Sequence, residues 1–354
     1  MNKDELALLH SNQRHFVEEL QKKGIEVNIV NKDMELLCAK LGNHVEWILD
    51  RDSSVMPYSV SIVCGNKFLT KKILENGGIS VPKGELFSPN QKTSAILFAE
   101  KLGYPVVIKP VFGSHGDNVF MNIDNMEDAY EILNNHFFDE KFIVEKEFLG
   151  KEFRVFLTKD GSYAVLHRDP AHVFGDGKST IKELIENENE KRLERKNALC
   201  PIVIDEIAKK YFSKKHLSLV DIPRKDEKIY LRPSSNVAKG GVCEDYTDLI
   251  HPSVIKNCKN VLDIFGTVPY LGIDYMSSDI TAVQTSDKYS IVEVNTVPGI
   301  HMHMNPAIGK SRNVAKMLVD VVFPETKEKR NQNEQGFTPI LWSLLQAKQF
   351  IRKI

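Results

Sequence analysis

Cysteine is scarce and scattered in this chain. Cys38, Cys64, Cys200, Cys243 and Cys258 are odd in number and form no CxxC pair. A disulfide framework and a zinc ribbon are therefore not expected, and a reducing compartment fits. An excess of one charge is also missing, since 47 Lys and Arg stand against 48 Asp and Glu, a net charge of −1. Nucleic acid is not an expected partner, because chains that track phosphate backbones carry a basic surplus. No apolar run approaches the roughly 18 residues of a membrane helix, so no membrane span is expected. The opening, MNKDELALLHSNQRHF, has no apolar signal core, and the cytoplasm is the expected location. The chain also lacks the GKS/T of a P-loop and a dinucleotide fingerprint.

With 354 residues, 42% hydrophobic and 27% charged, the chain can bury a large core in two or three lobes. Leu6, Leu9, Phe16 and Leu20 recur at helical spacing before Gly24, and short strand-like runs follow at 25–30, 36–41 and 45–49. The pattern predicts helices over 67–75, 93–102 and near 126–135. It predicts strands over 105–110, 119–123 and 142–147. Switching between periods of 2 and 3.6 indicates an α+β arrangement. The stretch 175–230 opens on a glycine turn, offers Ser179 and Thr180 as helix N-caps, and becomes a charged, solvated helix. Residues 325–335 resemble a linker. The tail FTPILWSLLQAKQFIRKI carries an apolar stripe that would dock on its own body, a partner subunit or a membrane surface.

Four constellations carry chemistry. Ser290-Ile-Val-Glu-Val-Asn-Thr-Val-Pro-Gly299 reads as a strand with Glu293 and Asn295 on one face. A carboxylate beside an amide oxygen suits Mg²⁺; a polar edge strand fits equally well. Asp274 sits among apolar neighbours in Tyr270-Leu-Gly-Ile-Asp-Tyr-Met276, and a buried carboxylate needs a cation or donors. Val106-Val-Ile-Lys-Pro110 runs into Gly113, Ser114, His115 and Gly116. Such a lysine wants an anion, and such a loop lets backbone N–H groups cover phosphates; a plain hairpin with a surface lysine is the alternative. Ile143-Val-Glu-Lys-Glu-Phe-Leu-Gly-Lys-Glu-Phe-Arg154 would line a purine pocket or be a solvated strand end.

Taken in order, Lys67, Lys109, the glycine loop, Glu145 to Glu152, Asp274 and Glu293-Val-Asn295 resemble an ATP-grasp carboxylate–amine ligase over about residues 63–324. The segments Arg168 to Thr180, Leu231-Arg-Pro-Ser-Ser-Asn-Val-Ala-Lys-Gly-Gly241, His251-Pro252 and Val294 to His303 narrow the resemblance. They are similar to cyanophycin synthetase and to the C-terminal glutathione synthetase module of bifunctional glutamate–cysteine ligase/glutathione synthetase. The opening resembles the latter more, in residues 24–48 and 66–82. The resemblance implies an α+β ATP-grasp fold with two lobes gripping ATP. Region 1–62 would be a short N-terminal part, 63–148 the first lobe, and 149–325 the second lobe with the insertion 175–230. Residues 326–354 would be a linker and amphipathic helix.

The implied reaction activates a carboxylate with ATP, passes through an acyl-phosphate and ends in an amide, with γ-glutamylcysteine and glycine as first-choice substrates. A cyanophycin-synthetase-like or other amino-acid or peptide ligase is the alternative, and a non-catalytic ATP-binding regulator a remote one. By resemblance, Lys67, Lys109, Gly113, Ser114, His115 and Gly116 hold the phosphates, while Glu145, Lys146 and Phe148 sit at the adenine and Glu152 at the ribose. Asp274, Glu293 and Asn295 bind two Mg²⁺ ions, for which Mn²⁺ would substitute. Arg232 steadies the acyl-phosphate, with Asn236, Gly240 and Gly241 near the same centre. Arg154 and Arg168 hold a substrate carboxylate or form a surface ion pair. Substrates would be small amino acids or short peptides, and the protein a freestanding module and homodimer. Ala238-Lys239 departs from the small hydroxyl residues usual before Gly240, which bears on the acceptor.

Overall fold

The computed structural model describes residues 3–113, 118–136, 139–194 and 199–327. The apolar tail and Ser114, His115 and Gly116 lie outside the described residues. Four antiparallel sheets organise the rest, apart from one isolated parallel bridge.

The first sheet is a meander of β1 (Glu26–Asn31), β2 (Leu36–Leu41), β3 (His44–Leu49) and the short β4 (Asp52–Ser53). Alternation of buried and exposed positions along β3, with Glu46 and Ile48 inward and Val45, Trp47 and Leu49 outward, is the period-2 signature of a half-buried strand. Helix Ser11–Lys22 packs Phe16, Val17 and Leu20 beneath it.

Helix Lys67–Asn76 starts on Asn66, whose side-chain oxygen accepts the Leu69 N–H at 3.0 Å. This is the expected use of an asparagine at a helix start. The second sheet follows, in the order β5 (Gly84–Phe87), β8 (Phe142–Lys146), β6 (Val106–Pro110), β7 (Phe120–Ile123). Helices Lys92–Leu102 and Met126–His136 cover it, closing a core of Ala95, Ala99, Ile108, Leu133, Phe142 and Val144. Every residue of β6 is buried, Lys109 included.

The third sheet has the order β13 (Val242–Asp245), β10 (Tyr163–Asp169), β9 (Lys151–Thr158), β14 (Tyr270–Ser277), β15 (Tyr289–Asn295). Helices Pro252–Phe265 and Val314–Val322 bury their apolar faces on it. Its core is continuous with that of the N-terminal meander, so the opening region and this lobe share one hydrophobic interior. Between β10 and β13 the chain builds a satellite: β11 (His172–Phe174) pairs with β12 (Lys228–Tyr230), and helices Ile181–Glu194 and Glu206–Lys214 join a small core with Ile181, Ile185, Phe212 and Leu231. Thr180 and Glu183 cap the first of these helices reciprocally: Thr180 N–H donates to Glu183 Oε2 at 2.7 Å, and Glu183 N–H to Thr180 Oγ1 at 3.3 Å. Among the described residues no helix is long and apolar enough to cross a membrane.

Candidate active site

The two lobes meet where strand ends carry ionised side chains. On the third sheet, β14 and β15 pair so that Asp274 lies opposite Glu293 and Gly272 opposite Asn295. Glu293 and Asn295 are two apart and share a face. Gly272 is required here, because a Cβ at that position would stand 2.6 Å from Pro298 Cβ. Its absence lets the turn after Asn295 fold back over β14.

Asp274 is buried and held by two guanidinium groups. Arg154 Nε is 2.5 Å from Asp274 Oδ1, and Arg168 Nη2 donates to Oδ2 at 2.9 Å. Arg168 also donates to Glu152 Oε1, and Ser235 Oγ donates to Glu152 Oε2. β9 and β10 supply these partners in register, with Arg154 opposite Asp274 and Arg168 opposite Glu152. Burial pushes the Asp274 carboxyl up, but Arg154 and then Arg168 outweigh it and hold it below its ordinary value. Burial pushes Arg168 down, and Asp274 more than reverses this.

On the other lobe, Lys109 of β6 and Glu145 of β8 are 2.6 Å apart, Nζ to Oε1. Lys71 Nζ donates to the second oxygen, Oε2. Burial would raise the Glu145 carboxyl, but Lys109 and Lys71 together hold it low. Burial lowers Lys109, yet the Glu145 charge leaves it raised. Lys71 is different: burial outweighs its attraction to Glu145, with Lys109 repelling, and brings it down to about 7. Lys67, one helical turn before Lys71, donates to the Gly113 carbonyl and stands 3.7 Å from Glu293 Oε2 across the cleft. That ion pair ties the first lobe to the acidic strand of the second.

The remaining expected residues fall around these two groups. Lys146 spends its ammonium on the carbonyls of Gly103 and Tyr104, at 3.0 and 2.7 Å. The Phe148 ring lies over Gly150, where a Cβ would be 2.8 Å from Cε1. Arg232 is not brought to Asp274. It is buried and donates to Asp205 Oδ2 at 3.1 Å, with Lys239 Nζ 3.8 Å from the same oxygen. Asn236 caps the turn at 237–239 through its side-chain oxygen, which accepts the Ala238 N–H at 2.9 Å. Gly240 (φ +98°) and Gly241, whose N–H donates to Asn236 O at 3.0 Å, close that turn. Ser235 links this loop to Glu152, so Arg232 reaches the acidic group only through its neighbours.

Several participants escaped the sequence reading. Lys71 is one, although its i+4 spacing from Lys67 on the same helix was a signal. Asn12 Oδ1 accepts the N–H groups of both Ile300 and His301 at 2.8 Å, and Arg51 Nε donates to Pro298 O at 3.1 Å. The N-terminal region thus fastens the segment that follows Asn295.

Asp274, Glu293 and Asn295 offer two carboxylates and an amide oxygen. Asn295 Nδ2 is buried without a hydrogen-bond partner, while Asp274 Oδ1 has the Arg154 guanidinium 2.5 Å away. Two carboxylates directly opposite on one sheet face repel unless positive charge intervenes. These residues fit a hard divalent cation.

Two gripping antiparallel lobes with this charged seam are the ATP-grasp fold. Residues 64–183 match the family described as RimK-like ATP-grasp domain. Over 286 residues it is 36% identical to cyanophycin synthetase of Crocosphaera subtropica, covering 77% of this chain and 32% of that protein. Over 316 residues it is 32% identical to the glutathione biosynthesis bifunctional protein GshAB of Clostridium perfringens, covering 85% of this chain and 40% of that protein. The crystal structure of a bifunctional glutathione synthetase from Pasteurella multocida superposes with a TM-score of 0.63 at 28% identity, covering 89% of this chain and 44% of that one. The chain thus spans less than half the length of each of these relatives.

Proposed function

We propose that the protein is an ATP- and Mg²⁺-dependent carboxylate–amine ligase. The observation that carries this reading is the Asp274–Glu293 pair with Asn295 beside it, facing Lys67 across the cleft. Such a ligase transfers the γ-phosphoryl group of ATP to a substrate carboxylate. An amine then attacks the acyl-phosphate, forming an amide and releasing phosphate and ADP.

This chemistry depends mainly on positioning and charge neutralisation. Asp274, Glu293 and Asn295 would hold Mg²⁺, which when bound supplies charge neutralisation on the phosphate oxygens. Lys67, 3.7 Å from Glu293, and Lys109 would supply ammonium groups to the ATP phosphates. Arg154 Nη1 lies 3.4 Å from where a Gly272 Cβ would stand, on the side of the Pro298 turn. From there it would orient a substrate carboxylate, with Arg168 also on Asp274. Arg232 and Asn236 would act from the satellite side, and the Lys239 ammonium, 3.8 Å from the Asp205 carboxylate that Arg232 also binds, would bear on which amine is accepted.

The first substrate reading is γ-glutamylcysteine plus glycine, supported by the structural match across 89% of this chain. The 36% identity to cyanophycin synthetase favours a second, an amino-acid or peptide ligase of that type. Phosphate release with γ-glutamylcysteine and glycine, with aspartate-containing peptides, and with free amino acids separates them. Release only with the first pair supports the glutathione-type reading. Release only with the peptides supports the second. No release above the ATP-only rate with any of them would sink the ligase proposal.

A further inference from the structure

Asn295 is the last residue of β15, and its amide nitrogen is buried without a hydrogen-bond partner among the described residues. No partner on that nitrogen fixes which way the amide turns. Its direction is left to the backbone on either side. On one side Asn295 pairs with Gly272 of β14. On the other the ladder has ended, and the turn 296–299 begins.

That turn is held from the far end of the chain. Arg51 lies between β3 and β4, and its guanidinium is a planar fork. Along one edge Nε donates to Pro298 O at 3.1 Å and Nη2 to Val297 O at 3.4 Å. Nη1 donates to Asp50 Oδ1 at 2.5 Å, which ties the fork to the N-terminal meander. The Arg51 side chain is only 12% exposed, and its own carbonyl accepts the Tyr270 hydroxyl at 3.2 Å. Tyr270 opens β14, the strand that carries Asp274. Just beyond the turn, the N–H groups of Ile300 and His301 converge on Asn12 Oδ1, each at 2.8 Å. His15, on the same helix as Asn12, stands 3.0 Å from His301, Nε2 to Nδ1. Backbone groups of 297, 298, 300 and 301 are thus held by two side chains of the N-terminal region.

A cation site works only when each oxygen stands at the ion's distance, so whatever fixes a ligand's backbone tunes the affinity. Partners one step behind a ligand typically account for about 10–100-fold of metal binding. We infer that Arg51 and Asn12 are positioning residues for the metal end of the cleft: they hold the turn after β15 so that the Asn295 amide oxygen is presented beside Glu293 and Asp274. The inference rests on the reading of Asp274, Glu293 and Asn295 as a cation site. Neither residue need touch the ion, the nucleotide or a substrate. Their effect passes through Asn295.

The test is a double-mutant cycle on the full chain. The probe is Mn²⁺ with a non-hydrolysable ATP analogue, read by water-proton relaxation, which changes when the hydrated ion is carried on the protein. Arg51→Met should weaken Mn²⁺ binding by about tenfold in the otherwise unchanged protein. In the Asn295→Ala background, where the positioned ligand is gone, the same change should cost less than about twofold. Asn12→Ala should behave alike in both backgrounds. Equal losses in both backgrounds, or Mn²⁺ affinity unchanged by Arg51→Met and Asn12→Ala, would overturn the role and leave the contacts purely structural. Should Arg51→Met fail to fold, Asn12→Ala decides by the same criteria. If the unchanged protein carries no Mn²⁺ with the analogue, or if Asn295→Ala carries it as tightly as wild type, the cation-site reading itself falls. If Asn295→Ala loses affinity while Arg51→Met and Asn12→Ala keep it, only the positioning inference does.

Discussion

Asp274 and Glu293 stand directly opposite each other on neighbouring antiparallel strands. Two carboxylates so placed repel, and the sheet tolerates them through different counter-charges. Asp274 has Arg154 and Arg168 on its own sheet, whereas the ion pair of Glu293 among the described residues is with Lys67, 3.7 Å away on the other lobe. Glu293 is therefore the member of the pair with unspent capacity for a cation. The lobes also communicate through it.

Replacing that carboxylate tests the site most directly. Glu293→Gln should lower ATP-dependent phosphate release by at least about 10²-fold, the loss typical of removing one preorganised charge at a reacting centre. Its thermal midpoint should stay level or rise slightly, since a like-charge pair is relieved. Phosphate release within a few-fold of wild type would remove Glu293 from the metal set.

Arg168 is the hinge of the ionic network behind Asp274. It serves both Glu152 and Asp274. Arg168→Ala should destabilise the protein by about 3 kcal/mol, because it leaves buried carboxylate charge under-compensated. Urea unfolding measures this. Combining it with Glu152→Ala should recover part of the loss, as coupled partners do. Strict additivity would mean that the two side chains do not depend on each other.

Much of this seam was legible in the sequence. A spacing of two put Glu293 and Asn295 on one face, and an acid inside an apolar run marked Asp274 as paired. The α+β alternation gave the fold class because periodicity is local. What stayed hidden depends on distant chain segments meeting. Lys71 reads as one more solvated lysine on a helix until β8 brings Glu145 against it. The hydrogen bonds from Ile300 and His301 to Asn12 join residues nearly 290 apart, and no local pattern announces them. Arg232 was read as steadying an acyl-phosphate; its pairing with Asp205, supplied by the satellite's own helix cap, is one more long-range contact that no local pattern announces.

The satellite's seat on the third sheet depends on one backbone approach. Gly240 has φ +98°, and a Cβ there would be 2.7 Å from Ile202 Cα, a backbone atom that cannot swing aside. Gly240→Ala should cost about 2–4 kcal/mol, combining backbone strain with overpacking. Gly42→Ala is the control. Gly42 also has a positive φ, +59°, but faces open space, so its loss should stay near 1 kcal/mol. Matching denaturant midpoints for the two variants would show that the Ile202 contact gives way freely.

Asp52 supplies a pH-dependent prediction away from the cleft. It lies on β4, half-buried beside Asp50, with Oδ1 enclosed and without a hydrogen-bond partner. Burial raises its carboxyl to about 6, only partly opposed by the Ser53 N–H, and Asp50 adds to the rise. In the unfolded chain the same group titrates near 4. The sign follows from linkage: the folded state disfavours the charged form, so Asp52 weakens the fold above about pH 6 and is neutral in effect below about pH 4. A two-unit shift corresponds to a ceiling of about 3 kcal/mol, which solvent screening of a half-buried group reduces to about 1 kcal/mol. Asp52→Asn keeps the shape and removes the titration. Its urea midpoint should therefore exceed that of the wild type at pH 8, and the advantage should fade as pH falls from 6 toward 4. An advantage independent of pH would assign the effect to packing rather than to the buried charge.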